Sequence, residues 1–227
     1  MDYNQIIAKL KSQRNPAAVA GMARYGINPQ NTLGVSVPNI RTLAKRIGKN
    51  HELALKLWAS GVHEARMLAA FIDDHKQVDE AQMERWVADF DSWDVCDQTC
   101  GNLFDKTPWA YAKAAEWAGR PEEFVKRAGF VMMACLAVHD KKAADEKFLD
   151  FLPIIKREAS DDRNLVKKAV NWALRQIGKR NIALNKVSVA AASDIRQLDS
   201  KPARWIATDA LRELTGEAVQ QKLQRKH

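Results

Sequence analysis

The chain has 227 residues, 46% hydrophobic and 28% charged, which suits a sizeable core in one large domain or one repeat array. No apolar run approaches the length of a bilayer span, and Met1-Asp2-Tyr3-Asn4-Gln5 lacks the basic start and apolar stretch of a secretory signal, so a cytoplasmic protein without a membrane partner is expected. Lys and Arg number 36 against 28 Asp and Glu, and the net charge of +8 suits a polyanionic partner without requiring one.

Helical periodicity runs through almost every segment, and sustained apolar/polar alternation is missing, so the chain reads as all-α. In chain order the expected helices are 3–13, 16–24, 38–48, 50–60, 63–75, 79–90, 93–104, 107–118, 122–138, 143–158, 162–178, 180–196, 200–214 and 216–224. Pro16, Pro38, Pro108, Pro121 and Pro202 sit where a first helical turn would begin, and Asn15, Thr107 and Ser200 are expected caps. Between Gly26 and Gly34 lies the one extended connection, Asn28-Pro29-Gln30-Asn31-Thr32, a candidate lid or binding loop.

Four blocks resemble one another: those beginning Glu64-Ala65-Arg66, Val125-Lys126-Arg127, Val166-Lys167-Lys168 and Ala203-Arg204-Trp205. Each puts a basic residue before a small, apolar helix body. Arg66, Arg127, Lys168 and Arg204 are 61, 41 and 36 residues apart, and helix pairs recurring at roughly 40 residues mark HEAT-type α-solenoids. The expected fold is a single HEAT-like repeat domain over 1–227, a superhelix of antiparallel helix pairs with a basic concave groove. Basic residues opening solvated faces would explain any one block but not four in register.

Chemistry concentrates at Asp91-Ser92-Trp93-Asp94-Val95-Cys96-Asp97. Trp93 and Asp97 are four residues apart at a helix start, so ring and carboxylate share a face and suit the stabilisation of positive charge. A core Trp with capping acids is the alternative. Further on, Lys168, Trp172, Arg175 and Lys179 follow at i, i+4, i+7 and i+11. That stripe faces solvent or a ligand, and Trp172 is read either as a nucleic-acid contact or as a seam residue under basic stems. Trp58, Trp86, Trp117 and Trp205 are expected in the core, while Trp109 stays open.

Cys96, Cys100 and Cys135 are read as packing residues, and no metal is expected. A glycine-rich phosphate loop, a Gly-x-Ser-x-Gly elbow and a nucleophile–base pair are all missing from the sequence.

At Ser92-Trp93-Asp94-x-x-Asp97, Lys126-Arg127-Ala128 and Lys168-Ala169-x-x-Trp172-x-Leu174-Arg175 the chain resembles the AlkD-like family of bacterial alkylpurine DNA glycosylases, which are HEAT-like repeat proteins. The resemblance runs from Met22-Ala23-Arg24-Tyr25 to the last repeat. It implies hydrolysis of the N-glycosidic bond of cationic N3- and N7-alkylpurines in double-stranded DNA, by a monomer without metal or cofactor, on the bacterial nucleoid. It also implies that Asp97 is catalytic and that Trp93, Trp172 and Arg127 shape the lesion site. Arg66, Lys126, Lys168, Arg175, Lys179 and Arg204 are the expected DNA-binding cations. The chain departs from the family at Ser92, where a second Trp can occur, and in the loop from Gly26 to Pro38. The rival readings are a non-catalytic relative that binds distorted or branched DNA, and a HEAT-type protein scaffold.

Overall fold

The computed structural model describes residues 1–225, and no strand occurs among them. Contacts divide the chain into two units, 1–107 and 108–227. The first holds α1 (Tyr3–Ser12), α2 (Pro16–Arg24), α3 (Val37–Ile47), α4 (His51–Ala59), α5 (His63–Ile72), α6 (Glu80–Ala88), α7 (Trp93–Asn102) and a 3-10 turn at Phe104–Lys106. The second holds α8 (Ala110–Ala118), α9 (Glu123–His139), α10 (Glu146–Leu149), α11 (Phe151–Arg157), α12 (Asn164–Gly178), α13 (Ile182–Arg196), α14 (Lys201–Leu214) and α15 (Glu217–Gln224). No helix among the described residues is long and apolar enough to cross a membrane.

The helices begin where local chemistry satisfies their first N–H groups. Asp2 and Gln5 form a reciprocal capping box on α1. Asn15, Asn50, Asp79, Asn181 and Ser200 each accept from the backbone N–H three residues on. Pro16, Pro38 and Pro202 stand in first turns, where a missing N–H costs nothing.

Pro108 and Pro121, by contrast, precede the N-cap residues Trp109 and Glu122 and stand outside the helices they were expected to open, and three further expectations need correction. Thr107 is not a cap: its hydroxyl donates to the Phe104 carbonyl at 2.8 Å, closing the 3-10 turn, and α8 begins only at Ala110. The segment 143–158 is two helices broken at Asp150, because Pro153 has no N–H for the Leu149 carbonyl and its ring crowds that oxygen. Trp205 is not a core residue: it is 42% exposed, with Lys167 Nζ 4.9 Å from its ring centroid.

In the first unit α5 is the central element, packed against α1, α3, α4 and α7 and buried over most of its length. Beside it Trp58 and Trp86 stack at 3.9 Å, and Phe90 and Phe104 close the cluster edge-on or tilted. In the second unit α9 has that place, buried from Ala128 to Ala137 between α8 and α12. Close approach of α8 is possible because position 129 is glycine. A Cβ there would overlap the backbone of Ala118 and stand 2.9 Å from the Ala114 carbonyl oxygen. Cys96, Cys100 and Cys135 are buried within these cores.

The close approach at Gly129 yields a test. Gly129→Ala gains about 1 kcal/mol of helix propensity, but it forces α8 and α9 apart, at a typical overpacking cost of about 1–3 kcal/mol or more. With backbone as the obstacle, the upper end applies, and the urea midpoint is expected to fall at unchanged slope.

Candidate functional site

The candidate catalytic residues of the first unit sit on α7. Trp93 opens the helix and Asp97 follows one turn later, both half-buried and on one face. The start of α7 is held by the connection between α2 and α3, residues 25–36, which lies over it as a strap. Trp93 Nε1 donates to the Tyr25 carbonyl at 3.0 Å. The Asn28 N–H donates to Ser92 Oγ at 2.9 Å, and Asn28 Nδ2 donates to Asp91 at 2.8 Å. Ser92 is fully buried, so the residue that departs from the family pattern is the strap's anchor on α7.

The other end of the strap is fixed by Glu64, in the first turn of α5 and 1% exposed. Its carboxylate accepts three consecutive backbone N–H groups, from Leu33 (2.9 Å), Gly34 (2.6 Å) and Val35 (3.1 Å). Three convergent amides form a small anion-binding concavity that replaces the water this carboxylate has lost. The turn needs Gly34, whose φ is +82° and where a Cβ would overlap the Asn15 carbonyl oxygen. Ile27, Thr32 and Val35 are buried, so the strap has feet in the core. Tyr25 has its carbonyl on Trp93 and its side chain 76% exposed.

His63 precedes Glu64 and reaches the next helix, with Nε2 3.0 Å from an Asp94 carboxylate oxygen and its backbone N–H on the Asn31 carbonyl. Burial works against the imidazolium. The hydrogen bond and charge of Asp94, with Glu64 and Asp91 behind it, outweigh burial and hold the His63 pKa above its ordinary 6.5. Asp94 is therefore engaged by His63.

In the second unit Lys168 is exposed on α12, with no ion-pair partner among the described residues, and Trp172 one turn on is half-buried. Below them the stripe is clamped to α14. Arg175 and Lys179 each reach Glu213 at 2.5 Å, and Arg175 lies 3.3 Å from Asp209. Burial pushes the Glu213 carboxyl up, but the Lys179 hydrogen bond and the charges of Arg175 and Lys179 prevail and hold it below the usual value.

The other expected cations are also held. Arg66 lies over the Trp58 ring at 5.4 Å and donates to the Asp89 carbonyl at 2.9 Å. Lys126 reaches Glu158 at 2.6 Å and Asp161 at 3.5 Å. Arg127 is 6% exposed and donates to the Leu165 carbonyl, tying α9 to the start of α12. Arg204 is exposed, 3.3 Å from Asp199. Neither His63 nor Glu64 is assigned a role from the sequence, and Ser92 stands out there only as a departure from the family pattern. One usable signal was an acid in the first turn of an otherwise apolar helix, since such a carboxylate must find donors.

A family model described as DNA alkylation repair enzyme matches residues 6–214. Among solved structures, one is described as a new family of proteins related to the HEAT-like repeat DNA glycosylases with affinity for branched DNA structures. It aligns at TM-score 0.78 and 20% identity, over 95% of this chain and 97% of that chain, and this likeness shows a HEAT-like repeat fold. A designed armadillo repeat protein in complex with the peptide (KR)4 aligns at TM-score 0.38 and 15% identity, over 82% of this chain and 88% of that one, and carries no argument. No curated protein matches the chain at a significant level.

The strap gives two expectations. Glu64→Gln keeps the shape but weakens charge-assisted bonds, so a loss of about 1–3 kcal/mol is expected, with faster hydrogen exchange at Leu33, Gly34 and Val35. The second concerns pH. A raised His63 pKa contributes stability fully present below about 6.5 and lost as pH rises through the folded value. The stability difference between wild type and Asp94→Asn should therefore be constant below that pH and shrink above it, as followed by urea unfolding across pH 5–9.

Proposed function

The chain belongs to the DNA alkylation repair enzyme family, and on that footing we propose that it is a DNA glycosylase that releases cationic N3- and N7-alkylpurines from duplex DNA in the cytoplasm. The observation that carries this reading is the pair Trp93 and Asp97, half-buried on one face of α7 under a strap that fixes the helix start.

An alkylated purine already carries positive charge and leaves readily. Water adds to C1′, and the C1′–N bond breaks with its electron pair passing to the purine, whose charge it cancels. The water proton passes to Asp97. The demand on the protein is to stabilise cationic character on the sugar and to place the water, and a carboxylate does both. The Trp93 ring offers its π-face to the same sugar cation. In the second unit, Lys168 is a phosphate contact and Trp172 a packing surface next to it. Arg127 acts by holding the start of α12 rather than by reaching solvent. Arg175 and Lys179, shared with Glu213, present less net charge than their count suggests.

One observation favours a second reading. The solved structure with the same fold is described by its affinity for branched DNA, so a binder of junctions that performs no chemistry is the alternative. Such a binder has no use for Asp97.

Base release from methylated duplex DNA separates the two. Wild type is expected to release 7-methylguanine or 3-methyladenine, and Asp97→Asn to do so on the order of 100-fold more slowly with DNA binding retained. Lys168→Ala should weaken binding to damaged and undamaged duplex alike and make the log–log salt slope shallower by about 0.9. A wild type that releases no base but prefers a four-way junction to duplex would replace the glycosylase reading with the second one. An active wild type matched by Asp97→Asn would keep the activity and remove the role given to Asp97.

A further inference from the structure

At the C-terminal end of α7, away from the strap, the first unit has a cleft of about 300 Å³ opening to solvent. Four cations line it: Arg41 and Lys45 from α3, Lys49 from the turn after α3, and Lys106 from the 3-10 turn. Phe71 and Asn102 are among its other lining residues, and no acidic side chain among the described residues lines it.

These cations are brought together by specific ties. The Arg41 guanidinium lies 4.4 Å over the Phe71 ring and donates to Gln98 at 2.8 Å and Asn102 at 3.3 Å, both on α7. Lys49 Nζ donates to the Phe71 and Asp73 carbonyls at the end of α5. Lys106 Nζ donates to the Asn102 carbonyl at 2.7 Å. Lys45 is exposed, one turn along from Arg41, with no hydrogen bond or ion pair from its side chain among the described residues.

Capping of helix C-termini accounts for Lys49 and Lys106 taken singly. It does not account for four cations converging on one opening, which costs repulsion. Burial, and then the charge of Lys106, holds Lys49 below the ordinary lysine value despite the opposing pull of Asp73 and Asp74. Donors remain unspent: Arg41 uses two of its five N–H groups, and Lys45 none of its three. Gly48, at φ +74°, has open space where a side chain would stand, so a ligand can approach the backbone.

The second unit shows the contrast. A cleft lined by Lys141, Lys179, Arg180 and Lys222 also contains Asp145. Its Lys179 is paired with Glu213, and its Arg180 donates to the Ala137, Asp140 and Ala143 carbonyls.

We propose that the Arg41–Lys45–Lys49–Lys106 cleft is a phosphate site that takes the sugar–phosphate backbone of a DNA strand. The choice of DNA as occupant rests on the DNA-binding reading above. Arg41 and Lys45, at i and i+4, stand about 5–6 Å apart at Cβ, which lets them reach neighbouring anionic groups on one strand. Asn102 follows Asp97 by five residues, about 7.5 Å along the helix axis. At about 100° per residue Asn102 also lies roughly 140° around α7 from Asp97, so the cleft holds a strand away from the face that carries Asp97 and adds affinity rather than register.

The test uses the full chain in two arms. In the first, pyrophosphate is titrated into ¹⁵N-labelled protein. Shifts concentrated at the Gly48 and Lys49 amides, abolished in Lys45→Gln/Lys106→Gln, are expected, and their absence from wild type overturns the phosphate site. In the second, binding to undamaged duplex is measured against salt. The double variant is expected to have a log–log slope shallower by about 0.9 for each phosphate it no longer neutralises, with Lys45→Gln alone changing it in the same direction. Lys186→Gln, an exposed change on α13, should match wild type. Because the Lys45 side chain has no partner among the described residues, its variant separates impaired binding from impaired structure. Normal duplex binding by both cleft variants would overturn DNA as the occupant, and pyrophosphate shifts in that case would assign the cleft to a free phosphate compound. A wild type that binds no DNA at all would sink the DNA reading of the whole protein, while the pyrophosphate arm would still decide whether the cleft holds phosphate.

Discussion

A carboxylate removed from water must be met by donors, and in the first unit that demand organises the site. Glu64 is buried at the start of α5 and is met by three successive amides of the 25–36 strap. Hydrogen bonds to a charged group contribute about 1.5–3 kcal/mol each, so the set offsets part of the roughly 1–2 kcal/mol per residue that ordering the strap costs, and the buried feet of the strap supply the rest. Once its far end is fixed, the near end falls on α7, where Ser92 and Trp93 take up Asn28 and Tyr25. The orientation of the Trp93 ring thus depends on an acid that touches neither the ring nor any ligand. His63 adds a second tie from α5, reaching Asp94 and so committing that acid to structure.

Electrostatics in the molecule are decided by where acids arrive, not by where bases are counted. The α12 stripe has three cations, but Glu213 and Asp209 come from α14 to meet two of them. Lys126 is met by Glu158 and Asp161. Among the described residues, the cleft at Arg41, Lys45, Lys49 and Lys106 has no such lining acid, and Lys168 has no ion-pair partner. For exposed pairs the attraction is screened and worth little, yet it still lowers the field a phosphate meets. An excess of +8 over the chain is therefore compatible with a few strongly attractive points and long stretches that are nearly neutral.

Buried cations also change what a motif means. Arg127 lies in the segment that resembles a lesion-contacting element, but its guanidinium reaches the Leu165 carbonyl and ties two packed helices together. Arg66 is spread over Trp58 and bonded to Asp89 in the same manner. Long basic side chains in helical repeats brace neighbouring helices through their stems and donors, so a basic residue recurring at repeat spacing serves packing as readily as binding.

What the sequence by itself determined is what depends on neighbours within about four residues. Helix positions followed from periodicity and caps, as at Asn15 and Ser200, and the shared face of Trp93 and Asp97 followed from the helical repeat. Even the break at Asp150 was written locally, in Pro153. Trp58, Trp86 and Trp117 were legible as core because apolar residues surround them at helical spacing, but the same pattern misplaced Trp205, whose helix turns that ring to solvent. Only the tertiary structure decided which polar groups meet. Glu64 and its amides are 29 to 31 residues apart, and Glu213 is 34 and 38 residues from Lys179 and Arg175. Those pairings are set by which helices pack side by side and at what rotation, and no local spacing encodes that rotation. The same is true of the basic cleft, whose four cations come from the end of α3, the turn beyond it and the turn after α7, and become one site only when the ends of α3, α5 and α7 are brought together.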